Sequence, residues 1–212
     1  MEFDEAVISD REANDHDTER RAADRGREAL IKATVRVVAE RGMRGLTYRA
    51  VAQAAGVTHG LVAHHFGSRE ALITAAFRED ARTREATKEL GPGTGRIDDI
   101  GAQLAAIVHD QPYEQRYQYE MILEALRTPA LLEDVRKTYQ GFIEAIREEL
   151  RLAGADGLEA LSAVVYAVLD GLVLQQLITG DSEATKTAVT RLQSLIKADI
   201  AVARLKTSMD TR

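Results

Sequence analysis

Residues 46–72 read LTYRAVAQAAGVTHGLVAHHFGSREAL, and the fold turns on how that stretch is divided. Thr47 is a natural N-cap, with Leu46 before it and Val51 after it spaced as a hydrophobic staple. The helix it opens runs to about Ala55 and stops at Gly56. The same device then repeats: Val57, Thr58 as N-cap and Val62 as staple partner open a second short helix ending near His65 or Phe66. Ser68 caps a third, longer helix through Ala71, Leu72, Ala75 and Ala76 to about Leu90.

Two helices of about eight residues joined by a glycine-containing turn, with a supporting helix on each side, form a helix-turn-helix unit. One face must be small and apolar so the pair can pack, and Val51, Ala52, Ala55, Val57, Leu61, Val62 and Phe66 supply it. The other face of the second helix must be short and polar for close approach to a duplex; Thr58, His59, Gly60, Ala63 and His64 supply that. Upstream, Ala29, Leu30, Ala33, Val37 and Val38 follow helical spacing from about Asp24 to Arg41, and Gly42 ends that helix as a left-handed cap would.

Composition fits. Only 3 prolines interrupt 212 residues, aromatics are 5%, Trp is absent, and no run alternates as a half-buried strand would, so an all-α chain is expected. The absence of cysteine removes disulfides, thiolate zinc sites and Cys nucleophiles, and suits a cytoplasmic location. The N-terminus lacks the basic and apolar regions of a signal peptide, and no window of 18 uncharged apolar residues suggests a membrane span. Net charge is −6, yet residues 25–69 carry 8 Lys/Arg against 2 Asp/Glu, net +6. That basic segment coincides with the helix-turn-helix and has the electrostatics of a nucleic-acid surface.

Three of the five histidines, His59, His64 and His65, fall within seven positions. A shared metal needs i,i+3 or i,i+4 spacing on a helix; His59 and His64 are five apart, and no Asp or Glu lies between Glu40 and Glu70. General acid–base chemistry needs an orienting carboxylate, which is missing for the same reason. His59 and His64 are read toward DNA and His65 toward packing beside Phe66; no metal or other cofactor is expected.

The run EALIKATVRVVAERGMRGLTYRAVAQAAGVTHGLVAHHFGSREALITAAF resembles the DNA-binding domain of the TetR family of transcriptional regulators, over about residues 24–83. The resemblance implies that Thr47, Tyr48 and Arg49 touch phosphates, that Thr58, His59, Gly60 and His64 face bases or backbone, and that Arg69 makes a phosphate contact where the family usually has lysine. Two departures stand out: the family often has Lys at the position of His59 and Tyr at that of Ala63. That tyrosine usually touches a phosphate, a role that Arg44 or the arginines of the N-terminal arm could fill here.

Three regions are thereby expected: a disordered acidic arm over 1–22, the DNA-binding domain over 23–83 with its motif at 46–65, and a C-terminal domain over 91–206. GPGTG at 91–95 reads as a linker, lacking the Lys-Ser/Thr ending of a phosphate-binding loop. Five helices are expected beyond it, near 97–110, 113–127, 130–152, 156–179 and 182–206, for about nine in all. Five of the six tyrosines lie between 113 and 166, which suits a cavity for a small, partly polar ligand. Candidate lining residues are Leu104, Ile107, His109, Tyr113, Tyr117, Met121, Tyr139, Phe142, Tyr166 and Asp170. Asp170, on an apolar face, could belong to a buried network, a ligand site or a dimer seam.

The penultimate helix is apolar around much of its circumference, so one side needs its own core and the other a partner. The resemblance implies that the last two helices pair with their mates as a four-helix interface, with Leu161, Val165, Leu169, Leu172, Leu192 and Leu195 as seam residues. It further implies a homodimer on double-stranded, palindromic operator DNA, most simply a repressor released when a small-molecule effector binds the C-terminal domain. An activator or non-inducible regulator of the same fold is the alternative. An enzyme built on the C-terminal cavity is remote, because no nucleophile–base pair or metal set is present.

Overall fold

The computed structural model describes residues 3–87, 90–155 and 159–210. Among them there are nine α-helices and no strand: α1 (Phe3–Gly45), α2 (Tyr48–Ala55), α3 (His59–Phe66), α4 (Arg69–Thr87), α5 (Leu104–Asp110), α6 (Pro112–Ala125), α7 (Pro129–Leu152), α8 (Glu159–Thr179) and α9 (Ser182–Asp210). The chain divides into two compact units, Met1–Phe77 and Arg78–Arg212. The division falls within α4 rather than at the glycine-rich segment after it.

The first unit is built as its caps dictate. Thr47 Oγ1 accepts from Ala50 N–H at 3.1 Å, and Ser68 Oγ accepts from Ala71 N–H at 3.0 Å. Gly56 sits at φ 69°, ψ 29°, which lets Val57 N–H return to Ala52 O at 2.9 Å and closes α2. Leu30, Val38, Val51, Val62 and Leu72 are all fully buried and bind α1, α2, α3 and α4 into one core. Each such side chain contributes roughly 1.5–3 kcal/mol of transfer free energy. Two expectations change here. Val57 is 36% exposed, so the second staple is not closed by it. The arm expected to be disordered continues α1 with helical backbone from Phe3. No proline occurs in α1 and no glycine before Gly26, so nothing breaks a helix propagating outward from its packed segment. Gly42 does interrupt α1, but at φ 65° and ψ 177°, a positive φ without the ψ of the left-handed cap expected there.

The second unit packs α5, α7, α8 and α9 around Ile100, Leu104, Ile146, Val165, Leu169 and Ile196. The single helix expected over 97–110 is instead a 3-10 turn, Ile97–Asp99, followed by α5. Gly101, at φ 67°, makes the break, and a Cβ there would lie 2.6 Å from Leu169 Cδ2. Residues 156–158, at the expected start of the penultimate helix, and 88–89, near the expected end of the fourth, lie outside the described residues. Leu90, the expected last residue of the fourth helix, is described and is not helical. The 91–95 segment is held rather than loose: Glu149 on α7, 1% exposed, accepts from Gly93 N–H and from Gly95 N–H at 2.8 Å. By length and composition Ala160–Thr179 could cross a membrane, but it carries Asp170 and packs Val165, Leu169 and Val173 into this core.

Candidate nucleic-acid interface and effector cavity

On the recognition helix α3, His59, Gly60, Ala63 and His64 are all exposed, as is Thr58 before it. Thr58 sits at the N-cap with extended backbone but makes no side-chain cap bond, so its hydroxyl remains a donor and acceptor for something outside the chain. A Cβ added to Gly60 would meet nothing within 4 Å, so no contact inside the protein requires glycine there. Val62 and Phe66 fill the buried side, and Arg27 lies 5.5 Å above the Phe66 ring. His65 is half-buried, its ring 6.2 Å from Phe66, and Gly26 faces its Nε2. Among the described residues no three His, Asp or Glu side chains converge as a metal site would require.

Around α3, Arg44 and Arg49 are exposed, and Thr47 spends one hydroxyl lone pair on its own helix. Two residues expected at phosphates are placed otherwise. Arg69 donates from Nε to Leu46 O at 3.1 Å and from Nη2 to Met43 O at 2.7 Å. It therefore ties α4 to the carbonyls of the α1–α2 connection, satisfying groups a helix end leaves open. The Tyr48 hydroxyl is buried without a hydrogen-bond partner among the described residues. Burial first, and the Glu70 carboxylate second, raise its pKa above the ordinary tyrosine range.

The second unit contains a partly enclosed cavity lined by Arg84 of α4, Leu104 and Ile107 of α5, Gln115 and Gln118 of α6, Phe142 of α7, and Tyr166 and Asp170 of α8. The space a water can occupy is ≈ 30 Å³, on the order of one or two waters. Of the expected lining residues, Leu104, Ile107, Phe142, Tyr166 and Asp170 reach it. His109 and Tyr113 face solvent instead, on the outer sides of α5 and α6. Tyr117 and Met121, on the same helix as Gln115 and Gln118, are fully buried but do not line the cavity. Tyr139 stands behind the wall, edge-on to Tyr166 with centroids 5.2 Å apart.

Most polar groups of the cavity carry no local sequence signature. Arg84 donates to Asp80 Oδ2 at 3.0 Å and to Gln115 Oε1 at 3.4 Å, and both members of the Arg84–Asp80 pair are largely buried. In sequence that pair is an ordinary i,i+4 surface bridge; only tertiary burial distinguishes it. Burial raises the Asp80 carboxyl, with Arg84 opposing the shift. Asp170 receives the Tyr119 hydroxyl at Oδ1 (3.2 Å) and at its own carbonyl (2.8 Å). Burial raises its carboxyl too, with Tyr119 working against the shift. The Tyr119 and Tyr166 hydroxyls are pushed upward by burial first and by the Asp170 charge second.

The expected dimer seam is also redrawn. Val165, Leu169, Leu172 and Leu192 are buried within the chain's own core, and Leu161 packs against it. Leu195, by contrast, is 51% exposed, and Val164, Val168, Leu174 and Ile178 form an uncovered apolar row on α8. An all-round apolar helix does not announce which stripe faces inward.

A basic helix-turn-helix unit with an open polar recognition face, followed by an all-helical unit with an internal cavity, defines a helical DNA-binding regulator. Residues 30–76 match the family described as bacterial regulatory proteins, tetR family, and residues 95–195 match the tetracyclin repressor-like C-terminal domain. The regulator BetI of Brucella anthropi is 24% identical over 182 residues, covering 82% of this chain and 93% of its own length. The repressor AcnR of Corynebacterium glutamicum is 28% identical over 165 residues, covering 74% and 84%. Among solved structures, multidrug binding protein EbrR complexed with malachite green is 30% identical, with a TM-score of 0.55, covering 78% and 96%. The chain belongs to the TetR family of transcriptional regulators. It is a DNA-binding regulator rather than an enzyme.

Proposed function

We propose that the chain is a ligand-responsive repressor that binds a palindromic operator as a homodimer and leaves it when a small molecule enters the α4–α8 cavity. The observation that carries this reading is that one helix, α4, has Arg69 bonded to the α1–α2 connection at its start and Arg84 in the cavity wall near its end. A ligand that repositions α4 therefore acts on the element that holds the helix-turn-helix. In this state the cavity admits only a water or two, so ligand entry requires its walls to move. Thr58, His59, Gly60 and His64 face the bases or their backbone, with Arg44, Thr47 and Arg49 toward phosphates. The uncovered rows of α8 and α9 pair with a second copy, and two-fold symmetry of the dimer matches two half-sites. The reading goes with a cytoplasmic location.

The test starts from duplexes selected from a random pool by the full-length protein. Their affinity is measured by fluorescence anisotropy, with and without compounds that raise its melting temperature. The expected result is specific, salt-dependent binding that a stabilising compound releases. Specific binding that no stabilising compound alters would support a non-inducible regulator instead.

A further inference from the structure

We propose that the effector is a cation with a flat apolar body and a hydrogen-bond acceptor, its positive centre held by Asp170 against the rings of Phe142 and Tyr166. The inference rests on the ligand-responsive reading above and specifies the chemistry of that same cavity. Its first ground is the balance of charge. The lining holds two ionic side chains, Arg84 and Asp170. Arg84 is neutralised by Asp80 at 3.0 Å, whereas Asp170 has the Tyr119 hydroxyl and, among the described residues, no ion-pair partner. The cavity therefore carries one uncompensated carboxylate, partly removed from water, for which an entering cation would compensate.

The second ground is the surroundings of that carboxylate. Phe142 and Tyr166 lie nearly parallel, at 22° with centroids 5.8 Å apart, and Tyr139 meets Tyr166 edge-on. Aromatic faces carry negative quadrupole density and attract cations, and flat ligands share their geometry. An anionic ligand would meet Asp170 as a like charge.

The third ground is Gln115, 2% exposed and part of the lining. Its Oε1 is taken by Arg84, which can only donate, so Nε2 is left as the free donor, and it has no partner among the described residues. A buried, unpartnered donor in the wall of a cavity matches an acceptor on the ligand.

The test titrates the full-length dimer with proflavin, a flat acridine cation, and with fluorescein as an anionic dye of comparable size. Fluorescence polarisation is read for wild type, Asp170→Asn and Phe142→Leu, each first checked for a cooperative melt. Expected are proflavin binding to wild type, a loss of at least tenfold in Asp170→Asn, a smaller loss in Phe142→Leu, no binding of fluorescein, and operator release by proflavin. Phe142→Leu keeps the carboxylate, so it remains informative if Asp170→Asn does not fold. Equal proflavin affinity in wild type and Asp170→Asn, or proflavin binding that is absent, overturns the proposal. If neutral or anionic compounds release the operator while cations do not, the cation assignment fails and the ligand-responsive reading stands. If compounds of every charge bind without releasing DNA, that reading itself fails, and the cation-effector assignment fails with it.

Discussion

Gly60 is the position where stability and function are set against each other most plainly. It lies inside α3, where glycine costs roughly 0.5–1 kcal/mol relative to alanine through backbone entropy. Its φ is not in the left-handed range, and a Cβ built there meets nothing within 4 Å. Gly60→Ala therefore removes the entropic cost without a steric one. The gain of about 0.5–1 kcal/mol corresponds to a rise of about 1–4 °C in Tm for a chain of this size. No neighbour within 4 Å requires a glycine there, which fits the proposed place of Gly60 at the closest approach of α3 to a duplex. The added methyl group should weaken operator affinity by about tenfold, or about 1.4 kcal/mol. Paired measurements decide it: differential scanning calorimetry for stability, and anisotropy on a selected operator for binding. A variant that is more stable and binds as tightly as wild type would refute the placement of Gly60 against DNA. A less stable variant would refute the open space around it.

Three further outcomes are expected. Glu149→Ala leaves two backbone N–H groups without their carboxylate and should cost about 3 kcal/mol, read as a lower urea midpoint at unchanged slope. Asp170→Asn tests the raised carboxyl: a group with a raised folded pKa favours folding below its unfolded value and loses that contribution as pH rises through the folded one. The variant should thus melt above wild type at pH 7, with the two converging below about pH 4; a gap independent of pH would contradict the assignment. Leu195→Glu, in the exposed apolar stripe that Leu195, Val202 and Leu205 form on α9, should convert the proposed dimer to monomer by sedimentation velocity while the monomer's helical content is unchanged.

The helix-turn-helix was readable because its determinants are local. Thr47, Gly56 and Ser68 act on groups within five residues of themselves, and spacing alone put Val51, Val62 and Phe66 on the buried side. Where distant parts of the chain decide, local pattern does not suffice. The helix break at Gly101 packs against Leu169, where a Cβ would not fit, and no local pattern brings that residue near. Arg69 resembles a phosphate ligand until the carbonyls of Met43 and Leu46 are seen beneath it. The tyrosines of α6 and α7 marked the region of the cavity, yet neither Tyr117 nor Tyr139 lines it. Arg84 and Gln115, which do, look in sequence like solvated helix surface. Asp170 was conspicuous because a lone acid on an apolar helix has few neutral explanations.

The central claim, that α3 reads sequence while the basic residues around it hold phosphates, is tested most directly by one salt titration. Anisotropy is measured for a selected operator and a scrambled duplex of equal length, from about 50 to 200 mM salt. Affinity for both should fall linearly on a log–log plot, with the operator at least about a thousandfold tighter throughout, and His64→Ala should narrow that preference while leaving the slope nearly unchanged. Equal affinity for the two duplexes, or binding indifferent to salt, would contradict it.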